Sequence, residues 1–132
     1  MELALLLLGL LAIHFIGDFV LQTHWQASNK STNWKALSLH VASYTACLFL
    51  LTPFLVAAAG YKPTGDPLTK YAIFAAVNGA IHWGTDYVTS RITKILWDAK
   101  EVHNFFVVIG LDQLLHQAAL FLTLFWILFP TS

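Results

Sequence analysis

The stretch Leu3-Ala4-Leu5-Leu6-Leu7-Leu8-Gly9-Leu10-Leu11-Ala12-Ile13-His14-Phe15-Ile16-Gly17-Asp18-Phe19-Val20-Leu21-Gln22 decides how the chain is read. At 1.5 Å per residue it rises about 30 Å, the thickness of a bilayer core. No basic segment precedes it, and His14, Asp18 and Gln22 sit where a cleavable leader is apolar or ends in small residues. The segment therefore reads as a retained first span, not a signal peptide. Three more stretches of the same kind follow, at about 35–59, 68–89 and 103–129. Pro53 lies near the far end of the second, and Pro130 closes the fourth.

Composition agrees with a multi-pass membrane protein. Of 132 residues, 58% are hydrophobic and only 11% are charged, with formal charge zero. Those values exclude a disordered chain, a coiled coil and a basic nucleic-acid binder, so no nucleic-acid partner is expected. The one cysteine, Cys47, forms no internal disulfide and reads as a small buried hydrophobe; without a CxxC pair, a thiolate zinc site is excluded.

An internal repeat suggests the architecture. Ala12-Ile13-His14-Phe15-Ile16-Gly17-Asp18-Phe19-Val20 matches Ala80-Ile81-His82-Trp83-Gly84-Thr85-Asp86-Tyr87-Val88. The expected fold is all-α: a four-transmembrane-helix bundle made of two parallel two-helix repeats, in one domain over 1–132. Between the third and fourth spans, Ser90 to Val102 is expected to form a short interfacial helix, with Ile92, Ile95 and Leu96 on one side. Lys30, Lys35, Arg91, Lys94 and Lys100 fall in the first and third loops or the adjoining helix ends, against Lys62 and Lys70 on the other side. The positive-inside rule then puts both termini on the outer side of a cytoplasmic membrane.

Ionisable residues inside the spans carry the chemistry, because each costs roughly 2.5–3.5 kcal/mol at the helix centre by insertion scales. His14 and Asp18, His82 and Asp86, and Asp112 and His116 are each four apart, on one helical face; His40 comes from the second span. Counted from the cytoplasmic ends, Asp86 and His40 lie roughly 6–8 Å in and Asp18 about 9 Å. His82 and Asp112 lie roughly 12 Å in, His14 about 15 Å and His116 about 18 Å, so all seven share one half of the bilayer. Four imidazoles and three carboxylates match one or two divalent ions, Zn or Mn/Fe. A metal-free His–Asp network joining the helices, or a proton path, uses the same residues. Gln22, Asn78, Gln113 and Gln117 flank the group as orienting or helix-joining side chains, and Gly17, Gly84 and Gly110 mark places of close approach. His24 and His103 read as interfacial.

The elements His14-Phe15-Ile16-Gly17-Asp18-Phe19-Val20-Leu21-Gln22, His40, His82-Trp83-Gly84-Thr85-Asp86-Tyr87 and Asp112-Gln113-Leu114-Leu115-His116 occur in order over nearly the whole chain. Together they resemble the small bacterial and phage membrane proteins of domain of unknown function 3307. That resemblance implies an integral membrane protein whose functional signature is these polar positions, and supplies no reaction. A looser likeness to membrane-bound metal-dependent hydrolases points to an enzyme. The resulting expectation is a divalent-metal-dependent hydrolase acting on a phosphate ester or lipid-linked substrate from the cytoplasmic side. In it, His14, His40, His82, His116, Asp18, Asp86 and Asp112 hold metal, and the three aspartates also position the attacking water. Lys30, Lys35, Arg91 and Lys94 are available to attract an anionic substrate. The alternative is a non-enzymatic membrane module: an adaptor or inhibitor with a structural metal, or a proton or metal-ion conduit. Lipids are the expected partners, and self-association stays open.

Overall fold

Helix ends follow from local chemistry. Thr23 caps a short helix by accepting from the Gln26 backbone N–H, while the Gln26 side chain accepts from the Thr23 N–H. Asn33 accepts from the backbone of Lys35 and Ala36 to start the next helix. Asp66 caps the third long helix ahead of Pro67, its carboxylate held below the usual range by the Thr69 hydroxyl and backbone N–H. At the other ends, Gly60 (φ 75°) and Lys100 (φ 60°) take left-handed conformations. Tyr61 N–H then bonds Val56 C=O at 3.0 Å and Glu101 N–H bonds Leu96 C=O at 2.9 Å, which stops each helix abruptly.

The computed structural model describes residues 1–129. It contains α1 (Glu2–Phe15), α2 (His24–Asn29), α3 (Trp34–Ala58), α4 (Pro67–Asp98) and α5 (Val102–Thr123). A π turn extends α1 over Ile16–Val20, and another extends α5 over Leu124–Leu128. Pro130, expected to close the last span, lies outside the described residues.

The fold is all-α and multi-pass, but the expected four-span bundle of two equivalent repeats is not what forms. Among the described residues, three helices are long and apolar enough to cross a membrane: Glu2–Val20, Trp34–Ala58 and Val102–Leu128. The long α4 has the length but not the apolar content, because His82, Asp86, Arg91, Lys94 and Asp98 all lie along it. The repeated nine residues are a local match. In the first half the motif ends in a π turn, followed by α2, whereas in the second it sits in the middle of α4. Nor is there a separate interfacial helix after Thr89. Ser90 to Asp98 continues α4 without a break, since Thr85-to-Thr93 carries neither Gly nor Pro to stop it.

The helices pack in the order α1 on α3, α3 on α4, and α4 on α5, and α1 meets α5 at few points. At one end Leu6, Leu10, Leu48, Phe74, Leu120 and Leu124 form a fully buried apolar core. Cys47 lies at its edge, buried and free, with Sγ 3.8 Å from the Ile13 carbonyl. Leu8, Phe54, Phe106, Leu122 and Trp126 point outward, an apolar surface that lipid covers.

Gly17 is a place of close approach: a Cβ there would lie 3.0 Å from Tyr44 Cδ2. A Cβ at Gly84 or Gly110 would meet nothing within 4 Å, so those two glycines are not packing sites. Gly17→Ala should therefore destabilise the protein by about 1–3 kcal/mol in detergent thermal unfolding. Gly110→Ala should be neutral or stabilise by up to about 1 kcal/mol.

Candidate metal centre

Each helix brings its polar residues to one layer beside the apolar core. Asp18 sits in the π turn that ends α1, His40 in the second turn of α3, His82 and Asp86 in mid α4, and Asp112 and His116 in mid α5. The three pairs spaced four apart meet side by side: His14 Nε2 to Asp18 at 3.7 Å, His82 Nε2 to Asp86 at 3.6 Å, and His116 Nε2 to Asp112 at 3.5 Å. Asp18, His40, His82, Asp86 and His116 are at least 96% buried, while Asp112 keeps partial exposure.

Four ligand atoms converge: His40 Nε2, His82 Nε2, Asp18 Oδ1 and Asp86 Oδ2. His40 Nε2 is 3.1 Å from His82 Nε2 and 3.1 Å from Asp18 Oδ1. His82 Nε2 is 3.4 Å from Asp18 Oδ1, and Asp86 Oδ2 lies 3.5 Å and 3.6 Å from the two imidazole nitrogens. A tetrahedral zinc with bonds of about 2.0–2.1 Å has ligand-to-ligand edges of about 3.3–3.4 Å. Five of the six distances among the four atoms, 3.1–3.6 Å, lie close to those edges, and all four lie within 4.8 Å of one another. A second group, Asp18, Asp112 and His116, adjoins the first and shares Asp18. His116 Nε2 also lies 3.3 Å from Asp86 Oδ1, so Asp86 turns one oxygen toward each group.

His14 stands at the margin. Its Nε2 is 3.0 Å from Gln113 Oε1 and its Nδ1 is 3.3 Å from the Tyr44 hydroxyl. The Gln113 amide donates to Asp18 Oδ2 at 3.0 Å and to Asp112 Oδ2 at 3.1 Å. With both donors used, its oxygen accepts from His14 Nε2–H, and His14 Nδ1 then accepts from Tyr44. Gln113 thus ties together three ionisable groups from two helices.

Several partners escaped the sequence reading. Tyr44 lies one turn beyond His40 and stacks on His82 with ring centroids 4.1 Å apart; the spacing of four was a signal. Thr89 donates to Asp112 at 2.6 Å. Lys30, read chiefly as a topology marker, reaches Asp86 Oδ2 at 2.7 Å. Of the flanking amides, Gln22 Nε2 lies 3.1 Å from His40 Nδ1, while Asn78 donates to Thr123 at 2.8 Å and joins α4 to α5 away from the cluster. His24 and His103 are exposed, apart from it.

A cavity of about 170 Å³ opens onto the cluster between the end of α1, α4 and α5, lined by Asp18, Asp86, Asp112, Gln113 and Lys30. With uncharged imidazoles, three carboxylates against one ammonium leave two negative charges, the charge of one divalent ion. The donor set, its spacing and its charge all fit such an ion.

These features define a membrane-embedded helical protein with a buried His/Asp cluster capable of coordinating metal. Residues 6–131 match the profile of the family described as protein of unknown function (DUF3307), and the chain belongs to that family. No curated protein and no solved structure matches it.

Replacing Gln113 by Leu leaves two carboxylate oxygens and His14 without their shared partner. It should destabilise by about 2–6 kcal/mol in detergent unfolding, since Asp18 and His14 are buried and each such orphaned group costs about 1–3, while water in the cavity reaches Asp112. Tyr44→Phe, which removes one hydroxyl, should cost about 1 kcal/mol.

Proposed function

We propose that the protein is a divalent-metal-dependent hydrolase of phosphate esters or lipid-linked esters, with its site open to the cytoplasmic side of a bacterial inner membrane. The observation that carries this reading is the convergence of His40 Nε2, His82 Nε2, Asp18 Oδ1 and Asp86 Oδ2 within 4.8 Å of one another, all buried. Zinc suits that donor set best, and the adjoining Asp18, Asp112 and His116 suit a second ion of Zn, Mn or Fe. Four protein ligands would close the first site, whereas the three ligands of the adjoining group leave a position open, where a divalent ion would supply Lewis acidity and a more acidic water.

The chain's own residues do the rest. Asp112 is the one carboxylate of the three with partial exposure, and it lines the cavity. Thr89 and Gln113 orient it by donating to its two oxygens. Asp112 accepts a proton from water in the cavity, acting as general base. Asp18 and Asp86 would hold metal in the first group, and Asp18 also belongs to the second. His14 takes part through Gln113, as a positioning residue. The apolar core at the far end of the helices excludes water and keeps the cavity one-sided.

A non-enzymatic module is the second reading. It is favoured by one observation: nearly every buried polar side chain described here already has a hydrogen-bond partner, His82 Nδ1 and Ser90 Oγ being exceptions in this region. Metal analysis separates the two. Protein purified in detergent without chelator should retain roughly one equivalent of zinc, as a closed four-ligand site does. Asp18→Asn and Asp86→Asn should lose it. Asp112→Asn should keep it and lose roughly 10²–10⁴-fold in turnover on a phosphate-ester panel. Protein that holds no metal and regains none from Zn, Mn or Fe would overturn the hydrolase reading. Metal without turnover would leave the structural module.

A further inference from the structure

A second cavity, of about 440 Å³, lies directly outside the first, and Lys30, Ser90 and Thr93 line both. These three residues form the passage from the outer space to the metal centre. Lys30 spends one N–H on Asp86 Oδ2 at 2.7 Å, and its ammonium has no other acceptor among the described residues. The Ser90 hydroxyl is buried without any partner. Two unused ammonium donors and one unused hydroxyl therefore belong to residues that both cavities share.

The other basic residues nearby are committed elsewhere. Arg91 donates to the Tyr87 carbonyl at 2.6 Å and covers the Tyr87 ring at 3.7 Å. Lys94 pairs with Asp98 at 2.7 Å. Lys30 alone carries positive charge into the passage. Beyond it lie Asp18, Asp86 and Asp112, whose charge a divalent ion would balance, so the Lys30 ammonium is the unspent positive group that an anion meets on its way to the centre.

We propose that Lys30 and Ser90 form an anion site that takes a phosphoryl group at the mouth of the metal centre. Its tetrahedral oxygens accept from the Lys30 ammonium and the Ser90 hydroxyl, and the outer cavity houses the remainder of the molecule. The inference rests on the hydrolase reading and narrows its substrate class to phosphate esters. Both a soluble phosphate ester and a phospholipid headgroup carry this chemistry.

The test uses full-length protein in phosphatidylcholine nanodiscs, titrated with inorganic phosphate in zinc-free and zinc-loaded form, with zinc content measured on the same samples. Lys30→Met should weaken phosphate binding at least about tenfold, the loss of one charge-assisted hydrogen bond, in both forms. Lys30→Arg should stay within about threefold of the unaltered protein, and Lys94→Met, whose ammonium is already paired, should change little. Adding phosphatidic acid to the disc at about one lipid in ten weakens soluble phosphate binding by competition if the headgroup is the source. If phosphate affinity does not respond, the source is a soluble ester.

Phosphate binding that survives Lys30→Met unchanged, or no phosphate binding by the unaltered protein, overturns the proposal. Should Lys30→Met fail to give monodisperse protein, the ¹⁵Nζ resonance of Lys30 in the unaltered protein decides. It must shift on saturation with phosphate, and a fixed resonance overturns the site. Phosphate binding without any zinc uptake supports the anion site and sinks the hydrolase reading; zinc uptake without phosphate binding does the reverse.

Discussion

A carboxylate buried among apolar helices persists only when other groups replace the water it has lost, and that constraint organises this protein. Asp18 and Asp86 are almost entirely buried, yet each is ringed by donors from other helices. His40 and His82 approach both carboxylates, His116 approaches Asp86, Gln113 bonds Asp18, and Lys30 bonds Asp86. Leaving a buried charge without partners costs several kcal/mol, more than a helix contact returns. The helices are therefore required to bring their polar residues to one level. Their apolar faces then close around what lies beyond, at the Leu6, Leu10 and Phe74 end of the molecule.

Satisfying the charges in this way also shapes a ligand-binding geometry. Imidazole nitrogens 3.1 Å apart, each within 3.6 Å of two carboxylate oxygens, are crowded for a simple network but correctly spaced around a small cation. The π turn at Ile16–Val20 bears on this, because it carries the buried Asp18. Behind the ligands stands a supporting shell. Tyr44 and Gln113 hold His14, Thr89 holds Asp112, and Gln22 lies against His40. Such partners fix the rotamers of the inner groups, which lets a site keep its shape before any ion arrives.

Much of this was legible in the chain, and the limits have physical causes. Helical periodicity relates residues four apart, so the side-by-side meeting of His82 with Asp86 and of Asp112 with His116 follows from spacing alone. Depth along the helix axis likewise brings His40 to the level of its neighbours. Tyr44 was accessible by the same rule and was passed over because a tyrosine in a span reads as packing. Lys30 was not accessible: its reach to Asp86 depends on how α2 folds back, and loop geometry leaves no periodic trace. The repeat misled because nine matching residues describe one face of a helix, not the helix's surroundings. One copy ends in a π turn and the other continues for three more turns, so two equivalent units never form.

The leucine and phenylalanine plug at the far end of the helices sets what kind of work the centre can do. With that end packed by apolar side chains, a molecule that enters the cavity between the end of α1, α4 and α5 leaves through the same door.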